Sequence, residues 1–468
     1  HYHREMMPIL NSPWLDAFGP APGYLNRGPG DDIPAFAPVA SLKAHNKVYL
    51  FQADVRTHVE GGAAKRFGET DSVAESVNVL YREMGKYMTD GEIPYHWTFG
   101  KWYDDPAIYA AARNYERLMR LSGRFPRQSV AEVAEVLDPL SLSAGVQYRY
   151  GTEVAAAAKF FDFNRRLEWH RLGAPRDLWL LDDLLTSDRL AQYKVVVLHG
   201  VCALTTEQRR LVRERLCRDG RTIIWMYAPP IFAADGTKLA WSLENGKDAG
   251  FAFEEKRGDF TLLIKSGEQT LGWSQTGIYG GFGVPWNHEN PKPHYAVRFQ
   301  SRFSPLPADG VKVFGRYADD GSPAAAMRET KDCREVFWGS VMMEREVLAR
   351  FAAHAGVHLY VDRPAVVYAN GNFGCVHVKE AGPVKVSLPR TAEIVVDLVT
   401  EKTIAENASS FDVDLAAKST LLFYFGDRAA YERESADVKA GLSARDAELE
   451  RLRPQFAYEA VRTNLAAV

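Results

Sequence analysis

The sequence predicts an α/β protein, and three patterns carry the prediction. Over residues 1–126 short apolar runs lead into polar clusters and are followed by amphipathic helices. From Ser129 strands and helices alternate, which implies a parallel, doubly wound sheet. Over residues 370–425 short strands alternate with turns, the pattern of a small antiparallel β-sandwich. With 468 residues, 46% of them hydrophobic and 25% charged, the composition is that of a soluble globular protein of roughly two to four domains.

Residues 15–18 form the first strand candidate, and a loop dense in Gly, Pro and Asp follows it over 19–39. Loops of that length in compact domains are usually functional, and Tyr24, Asn26 and Arg27 are its ligand-facing candidates. Arg27 reads equally as a salt-bridged scaffold residue. Residues 48–51 read as a buried strand running straight into polar side chains, Gln52, Asp54, Arg56 and His58. In barrels of strand–helix units the active groups emerge at such carboxyl ends; a strand capped by a structural Asp–Arg pair is the alternative. Thr70 or Ser72 caps the next helix, whose apolar stripe is Val73, Val77, Leu80 and Met84. Glu69 and Glu75, before or within that helix, read as capping or solvated carboxylates. Residues 93–99 are a further strand, with Trp97 near its end and Trp102 on the loop after it. Such aromatics suit the apolar face of a sugar ring or a packed core. Residues 108–121 are the closing helix.

Beyond Ser129 the pattern gives strands over 130–137, 178–181, 195–199 and 222–227, with helices over 152–172 and 205–218. Residues 260–316 are strand-rich. A helix over 345–355 precedes strands over 357–360 and 365–369 that return to the sheet, and five short strands lie between 375 and 424. Residues 427–468 read as a charged helix, a surface element or packing arm. No nucleotide fingerprint or P-loop is present, so no cofactor is expected. His288, Glu289 and His294 lack the spacing of a metal site, and no metal is expected. Cys202, Cys217, Cys333 and Cys375 are far apart; they read as buried thiols in a reducing compartment, or as two long-range disulfides. Cys202 lies near a strand-to-helix turn without a glycine elbow and reads as structural. A net charge of -3 does not suggest the basic face of a nucleic-acid binder. No apolar run of membrane-spanning length and no signal peptide is visible, so a cytoplasmic protein is expected.

Several stretches together resemble the glycoside hydrolases of family 42 and their β-galactosidase-like relatives. They are Ser12-Pro13-Trp14-Leu15-Asp16, then Tyr24-Leu25-Asn26-Arg27-Gly28, then Ser41 to Lys47, and Ala53-Asp54-Val55-Arg56-Thr57-His58. Gly100-Lys101-Trp102-Tyr103-Asp104-Asp105-Pro106 is similar to the end of the family's barrel, except that Gly100 stands where an acidic residue is usual. The resemblance implies the C-terminal part of a (β/α)8 barrel, strands 6 to 8, over residues 1–126. It implies a flavodoxin- or amidotransferase-like trimerisation domain over 127–367, a β-sandwich over 368–426 and a helical tail over 427–468. A carbohydrate substrate and a homo-oligomer, a trimer, follow from the same resemblance.

The family's mechanism is retaining and uses two carboxylates. The position matching its nucleophile is Gln52, with Asp54 and Arg56 expected to orient it and Tyr24, Asn26, Arg27, His58, Trp97 and Trp102 expected to contact the sugar. An amide cannot ionise, so it cannot attack a sugar carbon as a carboxylate does. Either the nucleophile is lost, or the register shifts and Asp54 carries the charge. The acid/base of the family lies on strand 4, before residue 1. Two readings follow: a silenced β-galactosidase-like hydrolase, or a non-catalytic carbohydrate-binding or assembly subunit whose barrel is completed by another chain. A working amidotransferase or peptidase would rest on Cys202 alone.

Overall fold

The structure is a computed structural model that describes residues 6–19, 27–32, 37–59, 70–96, 101–147, 169–236, 238–266, 277–279 and 298–466. The first part consists of α1 (Met6–Leu10), β1 (Ala17–Phe18), α2 (Val39–Ala44), β2 (Val48–Ala53), α3 (Val73–Asp90), β3 (Ile93–His96) and α4 (Pro106–Ser122). Strands β1, β2 and β3 form a parallel sheet in that order, β2 in the middle. Alternation along β2 puts Tyr49, Phe51 and Ala53 in the core with Leu42 and Val79, and leaves Leu50 and Gln52 on the opposite face.

Ser72 caps α3 by accepting from the Glu75 amide, and Gly91 ends it in the left-handed conformation. The expected apolar stripe holds at Leu80 and Met84, but Val73 is 40% exposed. The helix also buries Arg82, Glu83 and Lys86, because it is packed on more than one side. Asp105 caps α4 through the amides of Ala107 and Ile108, with Pro106 opening the first turn.

The second part carries β4 (Val133–Leu137), β5 (Arg176–Leu180), β6 (Val195–His199), β7 (Ala203–Thr205), β8 (Arg221–Met226), β9 (Phe232–Asp235) and β10 (Lys238–Trp241). It continues with β11 (Phe253–Thr261), β12 (Ile264–Ser266), β13 (Gly277–Tyr279), β14 (Arg298–Pro305), β15 (Val311–Tyr317), β16 (Pro323–Glu329) and β17 (Cys333–Trp338). One nine-stranded sheet runs β13-β12-β15-β16-β17-β8-β6-β4-β5. Its half from β17 to β5 is parallel, as the strand–helix alternation predicts, while β13 to β16 pair antiparallel. The predicted helix over 205–218 splits into Thr206–Leu211 and a wider-wound turn, Val212–Leu216. Of the helix expected over 152–172, residues 152–168 lie outside the described residues and Trp169–Arg171 is a single 3-10 turn. A disulfide joins Cys217 to Cys333, while Cys202 and Cys375 are buried thiols.

The third part is β18 (Ala365–Ala369), β19 (Phe373–Val378), β20 (Gly382–Asp397), β21 (Thr403–Leu415) and β22 (Thr420–Gly426). These make one antiparallel sheet, β18-β19-β22-β20-β21, rather than two facing sheets. Two of the predicted short strands merge into the 16-residue β20, whose pairing with β21 shifts register between Ser387 and Ala392. One face of the sheet packs on α3 and α4, and the other gathers its own core around Val376, Val386, Phe411 and Phe423. Residues 365–369 therefore leave the α/β sheet and pair with β19, and 357–360 form no strand; both correct the expected return to the sheet. A final helix, Arg428–Ala466, lies along α4 through Tyr431, Val438 and Leu442.

Helices α2 and α3 join the three parts. The Ser41 hydroxyl accepts from the Leu180 amide at 2.8 Å, and the Asn370 amide group donates to the Met88 and Thr89 carbonyls at 3.1 Å each. Four ion pairs cluster at the junction: Lys43–Asp90, Lys86–Asp32, Arg176–Glu135 and Arg189–Asp177. Among the described residues no helix is long and apolar enough to cross a membrane.

Candidate carbohydrate site at the end of β2

Gln52 is the last residue but one of β2, opposite Tyr95 in the parallel register with β3. The Tyr95 hydroxyl donates to Gln52 Oε1 at 2.9 Å, and Gln52 Nε2 donates to Asp54 Oδ2 at 3.2 Å. The amide is thus held at both ends, its oxygen by a donor and its nitrogen by a carboxylate. Burial and the neighbouring Asp54 charge push the Tyr95 phenol upward, so it stays a donor at neutral pH.

Asp54 is buried and paired through Oδ1 with Arg27, whose Nη2 also donates to the Asp54 carbonyl at 3.2 Å. Arg27 is 1% exposed. It is enclosed with Asp54 as its ion-pair partner, so it does not stand open to solvent as the ligand-facing expectation required. Arg82 fixes the segment from below by donating to the carbonyls of Arg27, Gly28 and Asp31. Glu83 is buried beside these cations, 3.9 Å from the Arg82 guanidinium, and burial raises its carboxyl to about 7 although Arg82 and Arg27 pull it down.

Arg56 places its guanidinium over the Trp102 ring, 5.1 Å from the centroid. Trp102 is only 5% exposed, and its face carries Arg56 instead of standing open as a sugar platform. The Thr57 hydroxyl donates to the Trp102 carbonyl and fixes this loop. His58 bridges two helix N-termini, with Nδ1 2.8 Å from Ser76 Oγ and Nε2 3.4 Å from Asp105 Oδ2. Glu75 bonds the Asp71 amide and pairs with Lys418. Tyr24, Asn26, Glu69, Trp97 and Gly100 lie outside the described residues, as do His288, Glu289 and His294.

Gln52, Asp54 and Arg27 therefore form one connected group; Arg56 and Trp102 form a second beside it, and His58 a third. Sequence reasoning missed Tyr95 and Glu83. Tyr95 is legible once β2 and β3 are paired in parallel, because a phenol then falls opposite Gln52. Glu83 sits between Arg82 and Lys86 on a helix, where composition alone reads as a solvated face. Cys202 is buried and donates to the Ser141 carbonyl at 3.4 Å. Among the described residues Cys217, Cys333 and Glu335 bring three ligand-type atoms within 4.8 Å, but the two sulfurs are joined to each other.

Gln52 thus stands near the carboxyl end of the middle one of three parallel strands, and the likeness to solved structures supports a glycoside hydrolase-like fold. The chain is similar to the β-galactosidase of Bacillus circulans sp. alkalophilus, with a TM-score of 0.50 and 14% identity over 88% of this chain and 55% of that one. It is similar to a catalytic mutant of a family 42 β-galactosidase from G. stearothermophilus, with a TM-score of 0.53 and 12% identity over 87% of this chain and 59% of that one. The chain thus spans a little over half the length of these relatives. No protein-family model matches the sequence, and no curated protein does.

Proposed function

We propose that this chain is a β-galactosidase-like glycoside hydrolase component that binds a β-linked sugar at the ends of β2 and β3, and that it is catalytically silent as it stands. The observation that carries the reading is the Gln52 amide, fixed between Tyr95 and Asp54 near the carboxyl end of β2. A retaining glycosidase needs a carboxylate at this place, about 5 Å from a second one, to trap the sugar as a covalent intermediate. Gln52 supplies hydrogen bonds and no charge. Asp54 does not replace it, because its carboxylate is buried and neutralised by Arg27. Residues 1–126 are read as barrel strands 6 to 8 with their helices, 127–367 as an amidotransferase-like oligomerisation domain, 368–426 as the β-domain and 427–468 as a tail. Tyr24, Asn26, Arg56, His58 and Trp97 complete the proposed sugar-binding surroundings, with Trp102 beneath Arg56 as its support.

The test is hydrolysis of a panel of nitrophenyl β-glycosides by the wild-type chain and by Gln52→Glu. The wild type is expected to show no turnover above buffer and the variant a measurable rate that rises with pH as the new carboxylate, its basicity raised by Asp54 beside it, ionises. Robust wild-type turnover would overturn the assignment of Gln52.

A second reading is favoured by the sheet itself, whose outer edges at β1 and β3 carry no further strand among the described residues. In that reading the chain is a carbohydrate-binding or assembly subunit and another chain supplies the remaining barrel strands. Intact-mass and gel analysis of the purified protein separates the two. A stoichiometric second polypeptide supports the subunit, and a single species, trimeric in solution, supports the silenced hydrolase.

A further inference from the structure

The Cys217–Cys333 bond lies beside a carboxylate with nothing to bond. Cys217 follows the turn Val212–Leu216, Cys333 opens β17, and Glu335, two residues further along that strand, projects from the same face as Cys333. One Glu335 oxygen and the two sulfurs lie within 4.8 Å of one another. Glu335 is 9% exposed, and among the described residues its side chain makes no hydrogen bond and no ion pair. Arg328 stands opposite it on β16, but its Nη1 donates to the Gly250 carbonyl at 3.1 Å. Gly250 itself packs on the carboxylate, where a Cβ would collide with Glu335 Oε2. A carboxylate this enclosed and without a donor costs free energy, and a cation between it and the sulfurs would remove that cost.

We propose that Cys217, Cys333 and Glu335 form a redox-gated zinc site, a disulfide under oxidising conditions and a two-thiolate, one-carboxylate zinc centre once the bond is reduced. Opening the bond takes two electrons and two protons from an external dithiol, which is itself oxidised to a disulfide. Zinc then displaces the two thiol protons, and water fills its fourth place. Thiolate and carboxylate together suit zinc, and the Cα–Cα separation of 5.2 Å lets both sulfurs reach one ion at about 2.3 Å by side-chain rotation. The Thr330 hydroxyl, 3.7 Å from Cys333 Sγ, is an outer partner for that thiolate. Three anionic ligands around a divalent ion leave a single negative charge, which Arg328 is placed to balance. Cys217 is partly exposed, so reductant and ion have a way in. The site lies in the α/β part and does not rest on the proposed hydrolase function.

The test is titration of the full chain with cobalt(II) and then zinc(II) in metal-free buffer, once oxidised and once reduced by a water-soluble phosphine, which competes less for the metal than a dithiol does. The reduced wild type is expected to take up a single equivalent of cobalt with the charge-transfer absorption of two thiolates, and zinc should displace it. Zinc should also return, in thermal melting, stability that reduction removes. The oxidised protein, which still holds the Cys202 and Cys375 thiols, is expected to show no such band. Glu335→Gln should keep the two-thiolate band but weaken binding at least about tenfold, and Cys217→Ser should abolish the band. A reduced wild type that takes up no cobalt, or that zinc does not stabilise, would overturn the proposal. So would equal uptake by the oxidised protein, or binding of wild-type strength in either variant.

Discussion

Glu83 shows how a single charge behaves when packing, rather than solvent, sets its surroundings. Its carboxyl has an ordinary value of 4.5 and is pushed up to about 7 inside the fold. The folded state therefore holds the proton more tightly than the unfolded chain does. The stability this contributes is fully present below pH 4.5 and is lost as pH rises through about 7. Replacing the group by an amide removes the linkage. Urea unfolding at pH 4.5 and pH 8 is expected to show wild type losing on the order of 2 kcal/mol relative to Glu83→Gln across that interval. Equal slopes for the two proteins would mean that the carboxyl is ionised in the fold. No pattern in the sequence announces this residue, since its burial depends on the chain segment at Arg27 folding over α3. Gln52 and Asp54 were legible because both follow an apolar run, and a strand end is a local signal.

At the scale of elements, α3 is built to be approached closely. Gly85 lies in the middle of the helix, where glycine costs about 1 kcal/mol relative to alanine. A Cβ placed there would meet Cys375 Sγ at 2.5 Å and Cys375 Cβ at 2.6 Å, so the glycine lets β19 sit directly on the helix. Gly85→Ala is expected to lose about 1 to 2 kcal/mol, the overpacking outweighing the gain in helix propensity. Cys375→Ala in the same chain should recover part of that loss, and additive effects of the two changes would refute the contact. Helix boundaries such as α3 were readable from Ser72 and the apolar period. The merging of two strands into β20 was not, because the intervening Pro-Arg-Thr reads as a turn, and in the fold it falls in the stretch between Ser387 and Ala392 where the register with β21 shifts. The destination of residues 365–369 was equally hidden, since a buried strand carries no mark of which sheet will receive it.

At the scale of the whole molecule, the Cys217–Cys333 disulfide closes 116 residues, a span that holds β8 through β16. A cross-link over a loop this long acts chiefly on the unfolded chain, by removing conformations open to it. Cys217→Ser is expected to lower stability by about 2 to 5 kcal/mol in denaturant unfolding, and reduction of the wild type should reproduce the change. A smaller effect would mean that the unfolded chain stays compact without the bond. The spacing of four cysteines left this pairing open, because only the register of β17 beside β8 brings the two residues together. The alternation of strands and helices, by contrast, disclosed the parallel half of the central sheet from composition and period alone. What it could not disclose is the antiparallel half, whose connections run through segments with no helical period.

The last helix meets α4 through charge more than through apolar surface. Tyr431 and Val438 are buried near its start, whereas further along Arg113–Asp446 at 2.8 Å and Arg445–Glu116 are the holds, all of them partly or largely exposed. Exposed pairs of this kind contribute roughly 0 to 1 kcal/mol each and fade as salt screens them. The helix should therefore behave as an ionic latch that peels from its far end. Raising sodium chloride from about 0.05 to about 1 M, where the screening length shrinks to about 3 Å, is expected to speed tryptic cleavage at Arg445 and Arg451 several-fold. Cleavage at Arg433, beside the anchored Tyr431, should hardly change, and the protein would thus shed its tail in steps set by the ionic strength around it.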